Sequence, residues 1–169
     1  MLEIRERVDG EERADLTLVL PFDSRQRSRL RVTLSNGEHA ALALPRGSVL
    51  RGGDLLRLSD RRVVRVIAAR EMVSTARSTV MRALMRAAYH LGNRHVPLEV
   101  GEGYLRYLHD HVLDGMLHDL GLSVTAEQAP FEPEAGAYAG ARAAGHAHAH
   151  AHDHGHAHDH QAPHGPHDD

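Results

Sequence analysis

The feature that most narrows the possible folds is a change of hydrophobic period near Glu71. Upstream of it apolar residues alternate with polar ones; downstream they recur at spacings of three and four. Short alternating runs occupy Leu2–Val8, Leu16–Phe22, Leu30–Leu34, Ala40–Leu44, Leu55–Leu58 and Val63–Ala69. Turn residues separate them at Asp9-Gly10, Asn36-Gly37, Pro45-Arg46-Gly47 and Gly52-Gly53-Asp54. Asn36-Gly37 between two such runs predicts a type I′ hairpin. Arg27, Arg29 and Arg31 line one side of a strand and read as a solvated sheet face, with no catalytic constellation around them. Residues 1–72 are therefore expected to form a small all-β domain.

After Glu71 the elements lengthen. Ser74 or Thr75 is a candidate cap for a helix running to about Leu91, with Val80, Met81, Leu84, Met85, Ala88 and Leu91 apolar and Gly92-Asn93 as its stop. Val96–Val100 reads as a short strand and Leu122–Gln128 as another. Between them, Gly103–Gly121 is predicted to be a single amphipathic helix with Gly121 as its C′ cap. With Val63–Met72 as an opening strand, the order is strand, helix, strand, helix, strand. One more short strand makes this a ferredoxin-like βαββαβ sandwich, so residues 73–145 are expected to form a second domain and the whole an α+β protein.

From Gly145 the composition changes again. His146, His148, His150, His152, His154, His156, His158 and His160 stand at strict spacing of two, separated by Ala, Asp and Gly, with His164 and His167 beyond. Nothing here can enter a core, so residues 146–169 are expected to be disordered. A purification tag would be an unbroken histidine run, and a pH-responsive solubilising tail is a further reading. The pattern favours chelation of several divalent ions, because neutral imidazole suits nickel, zinc and copper.

In the predicted helix, Leu105, Leu108, Val112, Leu113, Met116, Leu117 and Leu120 share one face at about 100° per residue. The opposite face carries Tyr104, Tyr107, His111, Gly115 and His118, where a surface helix would carry Lys, Glu and Arg. That stripe is expected to meet something, with Gly115 permitting close approach of a backbone. A two-fold axis there would set each His111 near its symmetry mate, which is half of a metal site. A lone helical histidine is ordinarily a surface or core residue; the stripe and the tail together make His111 a candidate ligand. Asp114 is positioned to orient it. His109, two residues away and about 200° round the helix, is read as a hydrogen-bonded core histidine unable to share the site. His118 is a weaker candidate, His90 and His95 capping or turn residues, and His39 a strand surface residue.

Composition removes other classes. There is no cysteine, so disulfides, thiolate nucleophiles and sulfur-held metals are out. No HExxH, P-loop, GxGxxG after a strand or GxSxG occurs, and the chain is read as a non-enzyme. Residues 1–73 hold 14 arginines against 11 acids, too small an excess for a nucleic-acid surface. The charged N-terminus and the absence of a run of roughly 18 apolar residues predict a cytoplasmic protein without a membrane span.

Five stretches, in order, resemble a known family: GNRHVPLE (Gly92–Glu99), HDHVLDGML (His109–Leu117), GLSVT (Gly121–Thr125), PFEPEAGAY (Pro130–Tyr138) and the histidine-rich tail. They look like the urease accessory nickel metallochaperone, UreE. The resemblance implies a homodimer with a peptide-binding-like β domain and a ferredoxin-like domain. It maps the family's nickel-binding histidine onto His111, paired across the dimer, with His146–His160 adding ligands or storing ions. Implied partners are the accessory GTPase and, through it, the apo-urease complex. Ni(II) is the implied cargo, with Zn(II) or Cu(II) as competitors. The alternative is a histidine-rich nickel or zinc buffer without a dedicated recipient.

Overall fold

A computed structural model describes residues 2–136. Its first sheet has six strands: β1 (Leu2–Val8), β2 (Leu16–Leu20), β3 (Arg29–Thr33), β4 (His39–Ala43), β5 (Leu55–Leu58) and β6 (Val63–Ala68). Their spatial order is β2-β6-β5-β1-β4-β3, parallel at β1/β4 and β2/β6 and antiparallel elsewhere. Alternation in the sequence becomes one buried side: Ile4, Leu18, Leu42, Leu56, Val64 and Val66 are all essentially inaccessible and pack together. A four-residue helix, α1 (Phe22–Arg25), takes the end of the expected second strand. The β3–β4 hairpin forms where predicted, but its turn is not type I′. Of Asn36 and Gly37 only Gly37 has positive φ (86°), and its N–H donates to Leu34 O at 2.9 Å. This is the three-residue form, in which a left-handed residue follows the turn.

The second sheet is antiparallel, built from β7 (Arg70–Arg77), β8 (Glu99–Gly101), β9 (Tyr104–Leu108) and β10 (Ser123–Pro130) in the order β10-β7-β9-β8. Helices α2 (Met81–Gly92) and α3 (His111–Asp119) complete a strand–helix–strand–strand–helix–strand sequence. Leu84, Ala87 and Leu91 of α2 and Leu117 of α3 are buried with Ala76, Leu105 and Tyr107 of the sheet.

Three expectations fail here. Ser74 and Thr75 do not cap α2; both are fully buried inside β7, which pairs along its whole length with β10. The helix starts after Val80, whose N–H is held by Ser78 Oγ at 3.0 Å. A division after residue 72 would run through β7, which starts at Arg70. The third failure matters most: Gly103–Gly121 is not one helix. Tyr104–Leu108 is strand β9, paired with β7 from Val73↔Leu108 to Arg77↔Tyr104. Leu105 and Tyr107 point inward and alternate with Tyr104 and Arg106, a period of two that the leucine spacing also satisfies. Gly121 does close α3 as expected. Its φ is +84°, Leu122 N donates to Leu117 O and Gly121 N to His118 O, and Leu117 and Leu122 are both buried.

Phe22 of α1 packs with Val73, Ala129 and Phe131, joining the two sheets. No helix among the described residues is long and apolar enough to cross a membrane.

Candidate metal centre

Strand β9 delivers the chain to the start of α3, and the first residue of that helix is His111. Asp110 is the N-cap: its Oδ1 accepts from Val112 N at 2.8 Å and Leu113 N at 3.2 Å. These two backbone donors hold the Asp110 carboxyl below its ordinary pKa and commit it to the helix end. His111 is exposed, and no hydrogen bond to its ring occurs among the described residues. Exposed apolar residues nearby are Leu108 (40% exposed) and Val112 (66%) along the chain and Met72 (48%) on β7, beside His109. Met72 O accepts from His109 N at 3.1 Å, which ties β7 to this corner.

Asp114 does not orient His111. Its Oδ1 accepts from the Tyr107 hydroxyl at 2.7 Å, and its Oδ2 lies 3.3 Å from His109 Nδ1. Ser74 Oγ lies 2.9 Å from the same nitrogen. Burial pushes the Tyr107 phenol far above its ordinary pKa, and donation to Asp114 adds to the effect, so it stays a neutral donor. His109 is hydrogen-bonded, as expected, but its side chain is 39% exposed and not in the core. Because residue 109 precedes the helix, the 200° separation from His111 no longer applies.

The expected stripe therefore dissolves. Tyr107 is buried under α3 and Tyr104 donates to Glu99 at 2.9 Å, while His111, Gly115 and His118 remain on α3 and exposed. A Cβ at Gly115 would meet nothing within 4 Å in this chain. His90 lies in the last turn of α2 with its ring against Tyr89, and His39 is an exposed strand residue bonded to Thr33. His95 adopts left-handed φ (55°) and closes α2, with Val96 N donating to Leu91 O. No group of three or more His, Asp or Glu side chains among the described residues is close enough to hold an ion on one chain. His146, His148, His150, His152, His154, His156, His158 and His160 lie outside the described residues. Sequence reasoning missed the Ser74–Tyr107–Asp114 support of His109; Ser74 looked like a helix cap, and nothing local pointed to a strand.

Comparison with known proteins bears on this corner. A family model described as UreE urease accessory protein, N-terminal domain, matches residues 3–69, and its C-terminal counterpart matches residues 71–160. The chain is 58% identical over 140 residues to a urease accessory protein UreE of Alkalilimnicola ehrlichii, covering 83% of this chain and 86% of that one. It is 58% identical over 142 residues to the Pseudomonas putida (strain W619) protein of that name, covering 83% and 88%. Against the Enterobacter sp. (strain 638) protein of that name it is 51% identical over 139 residues, covering 82% and 91%. Both sheets, and the corner that carries His109 and His111, fall within the matched spans, and the chain belongs to the UreE urease accessory protein family.

Proposed function

We propose that this protein is a nickel metallochaperone, which binds Ni(II) and delivers it for assembly of the urease active site. The observation that carries the reading is His111: an exposed imidazole at the first position of α3, with no partner among the described residues and with the exposed apolar residues Leu108, Val112 and Met72 nearby. Exposed apolar residues near a metal-ligating side chain suit a site completed by a second copy of the chain. Gly115, one turn along, leaves room for that copy's backbone. In the homodimer the two His111 side chains contribute to one nickel site, leaving positions for water and for an incoming partner's ligands. We take the second domain as a ferredoxin-like scaffold starting near Arg70.

The tail histidines from His146 to His160 capture Ni(II) and raise its concentration near that site, as a tethered ligand does. Transfer to the accessory GTPase and the apo-urease complex, in the cytoplasm, is by ligand exchange, and no bond of a substrate is made or broken by the protein. Zn(II) and Cu(II) compete, since the divalent affinity order favours copper over nickel. Calorimetric nickel titration tests the reading on the full chain, a truncation ending at Gly145 and that truncation with His111→Ala. One tight ion per two truncated chains, lost with His111→Ala, supports it. Loss of all tight binding on truncation alone refutes it in favour of a histidine-rich metal buffer.

A further inference from the structure

Both sheets end in edge strands, and three of those four edges are partly occupied by groups of this chain. On β2, Thr17 O accepts from Ser35 N and Thr17 N donates to Ser35 Oγ, both at 3.0 Å. Beside β8, which has only three residues, Leu98 O accepts from Glu134 N at 2.7 Å. On β10, Gln128 O accepts from the Arg70 guanidinium, and Pro130 has no N–H to offer. The edge of β3 differs. Leu44 N donates to Ser28 O at 2.8 Å and Leu34 N to Glu38 O at 2.9 Å, and the register between them sets Leu30 against Leu42 and Val32 against Ala40. Bonded pairs alternate along an antiparallel ladder, so Ser28, Leu30, Val32 and Leu34 turn their backbone groups toward β4. The N–H and C=O groups of Arg29, Arg31 and Thr33 therefore point to the open side, where no partner meets them among the described residues.

The side chains of the same three residues are exposed. Asp23 holds Arg27 at 2.6 Å, whereas no acid lies within ion-pair distance of Arg29 or Arg31 among the described residues. Their cross-strand neighbours, Ala43 and Ala41, are too small to cover them. A concavity of about 360 Å³ at this edge is lined by Arg31, Val32, Thr33, His39 and Ala40. Charged side chains on an edge strand keep like edges apart, because like charges directly opposite one another destabilise a strand pair. An acid opposite the same arginines is stabilised, so this edge rejects a second copy of itself and accepts a carboxylate-bearing strand. We infer that the β3 edge docks an extended acidic segment of a partner protein, which adds to the first sheet as a seventh strand. Main-chain bonds to Arg29, Arg31 and Thr33 supply affinity, and carboxylates opposite Arg29 and Arg31 supply selectivity. The tie between Ser35 and Thr17 ends the open run, which confines pairing to the five residues of β3. The inference goes beyond nickel delivery, and nothing in it depends on a metal.

The test uses the full-length chain without metal and an acetylated, amidated peptide, Thr-Glu-Val-Glu-Val-Glu-Thr, whose glutamates share one side when extended. Backbone amide NMR at low salt follows the titration. The amide resonances of Arg29, Arg31 and Thr33 should shift, and their hydrogen exchange should slow at saturation. Affinity should fall at least tenfold for Arg29→Glu combined with Arg31→Glu, with the fold of that variant checked by circular dichroism. Lysine in place of the peptide's glutamates should cost as much. Two further peptides carry N-methyl groups on the glutamates or on the valines; the one whose methyls face β3 should also lose at least tenfold, since it keeps its charge but not its strand bonds. Any one of three results overturns the inference: no shift on β3 at millimolar peptide, shifts centred on another surface such as the exposed side of α2, or both N-methylated peptides binding within twofold of the parent.

Discussion

Replacing Glu132 with alanine should destabilise the protein by about 3 kcal/mol without touching the proposed metal centre. The partner at risk is Arg25, which is completely inaccessible at the end of α1. Its guanidinium donates to Leu20 O at 3.2 Å, to Leu50 O at 3.3 Å and to Phe131 O, and lies over the Phe22 ring. Its Nη1 is 3.0 Å from Glu132 Oε1, the carboxylate that balances its charge. Removing one partner of a buried pair costs about 3–5 kcal/mol, because the other charge stays buried without compensation. Glu132 is 32% exposed, so water can replace part of the carboxylate, which places the cost at the low end. Glu132 also accepts from Gly52 N at 2.7 Å and pairs with Arg51 at 3.3 Å, so the same change loosens the loop after Leu50. A loss of about 3 kcal/mol corresponds to a Tm lower by roughly 10 °C for a domain of this size. Thermal and urea unfolding followed by circular dichroism measure it, with Arg25→Met and the double variant closing the cycle. The double variant should recover part of the loss, since no unpaired charge remains. A Glu132→Ala variant within 0.5 kcal/mol of the parent would refute the argument that Glu132 balances the buried Arg25 charge, and a fall in nickel stoichiometry at 10 °C would refute the independence of the proposed metal centre.

Nickel loading should fall steeply below about pH 6.5, because only neutral imidazole binds; equal occupancy at pH 5 and pH 7.5 by equilibrium dialysis would contradict it. Tyr107 holds its proton more tightly folded than unfolded, so its contribution is intact below the unfolded pKa of about 10 and is lost as pH rises beyond it. Urea midpoints should therefore decline above pH 10, and Tyr107→Phe should flatten that decline. His95→Gly removes a left-handed residue with a side chain from the end of α2 and should stabilise by about 0.5 kcal/mol, the relief exceeding the added unfolded-state entropy; a lower urea midpoint would show that the His95 side chain contributes to the native state.

Strands β1 to β6 were legible because each has one buried side, which imposes alternation, and because turn residues bracket them. The stretch from Gly103 to Gly121 was misread for a physical reason. Leu105, Leu108, Val112 and Leu117 satisfy a helical period, yet only Leu117 owes its burial to a helix. Leu105 is buried by pairing in β9, and Leu108 and Val112 are exposed at a corner. The true helix start was present in the sequence as Asp110, with a side chain able to reach the N–H groups of Val112 and Leu113. Four apolar residues in register outweighed that single capping residue.

The misreading had a consequence for the chemistry as well as for the fold. On one continuous helix His109 and His111 diverge, and Asp114, one turn after Asp110, faces His111 rather than His109. With a strand ending at Leu108, His109 lies in the connection, where its backbone N–H bonds to Met72 O of β7 and its ring reaches Ser74 on the same strand. Ser74 is distant in sequence and was assigned to a helix end, so no local pattern could bring the two together. His111 needs no such partner to be found, since a histidine flanked by Asp110 and Asp114 is conspicuous in any reading. What pairing in the sheet adds is the support behind its neighbour. A hydrogen-bonded cluster divided between a helix end and a strand interior becomes visible only when the strand's partners are known.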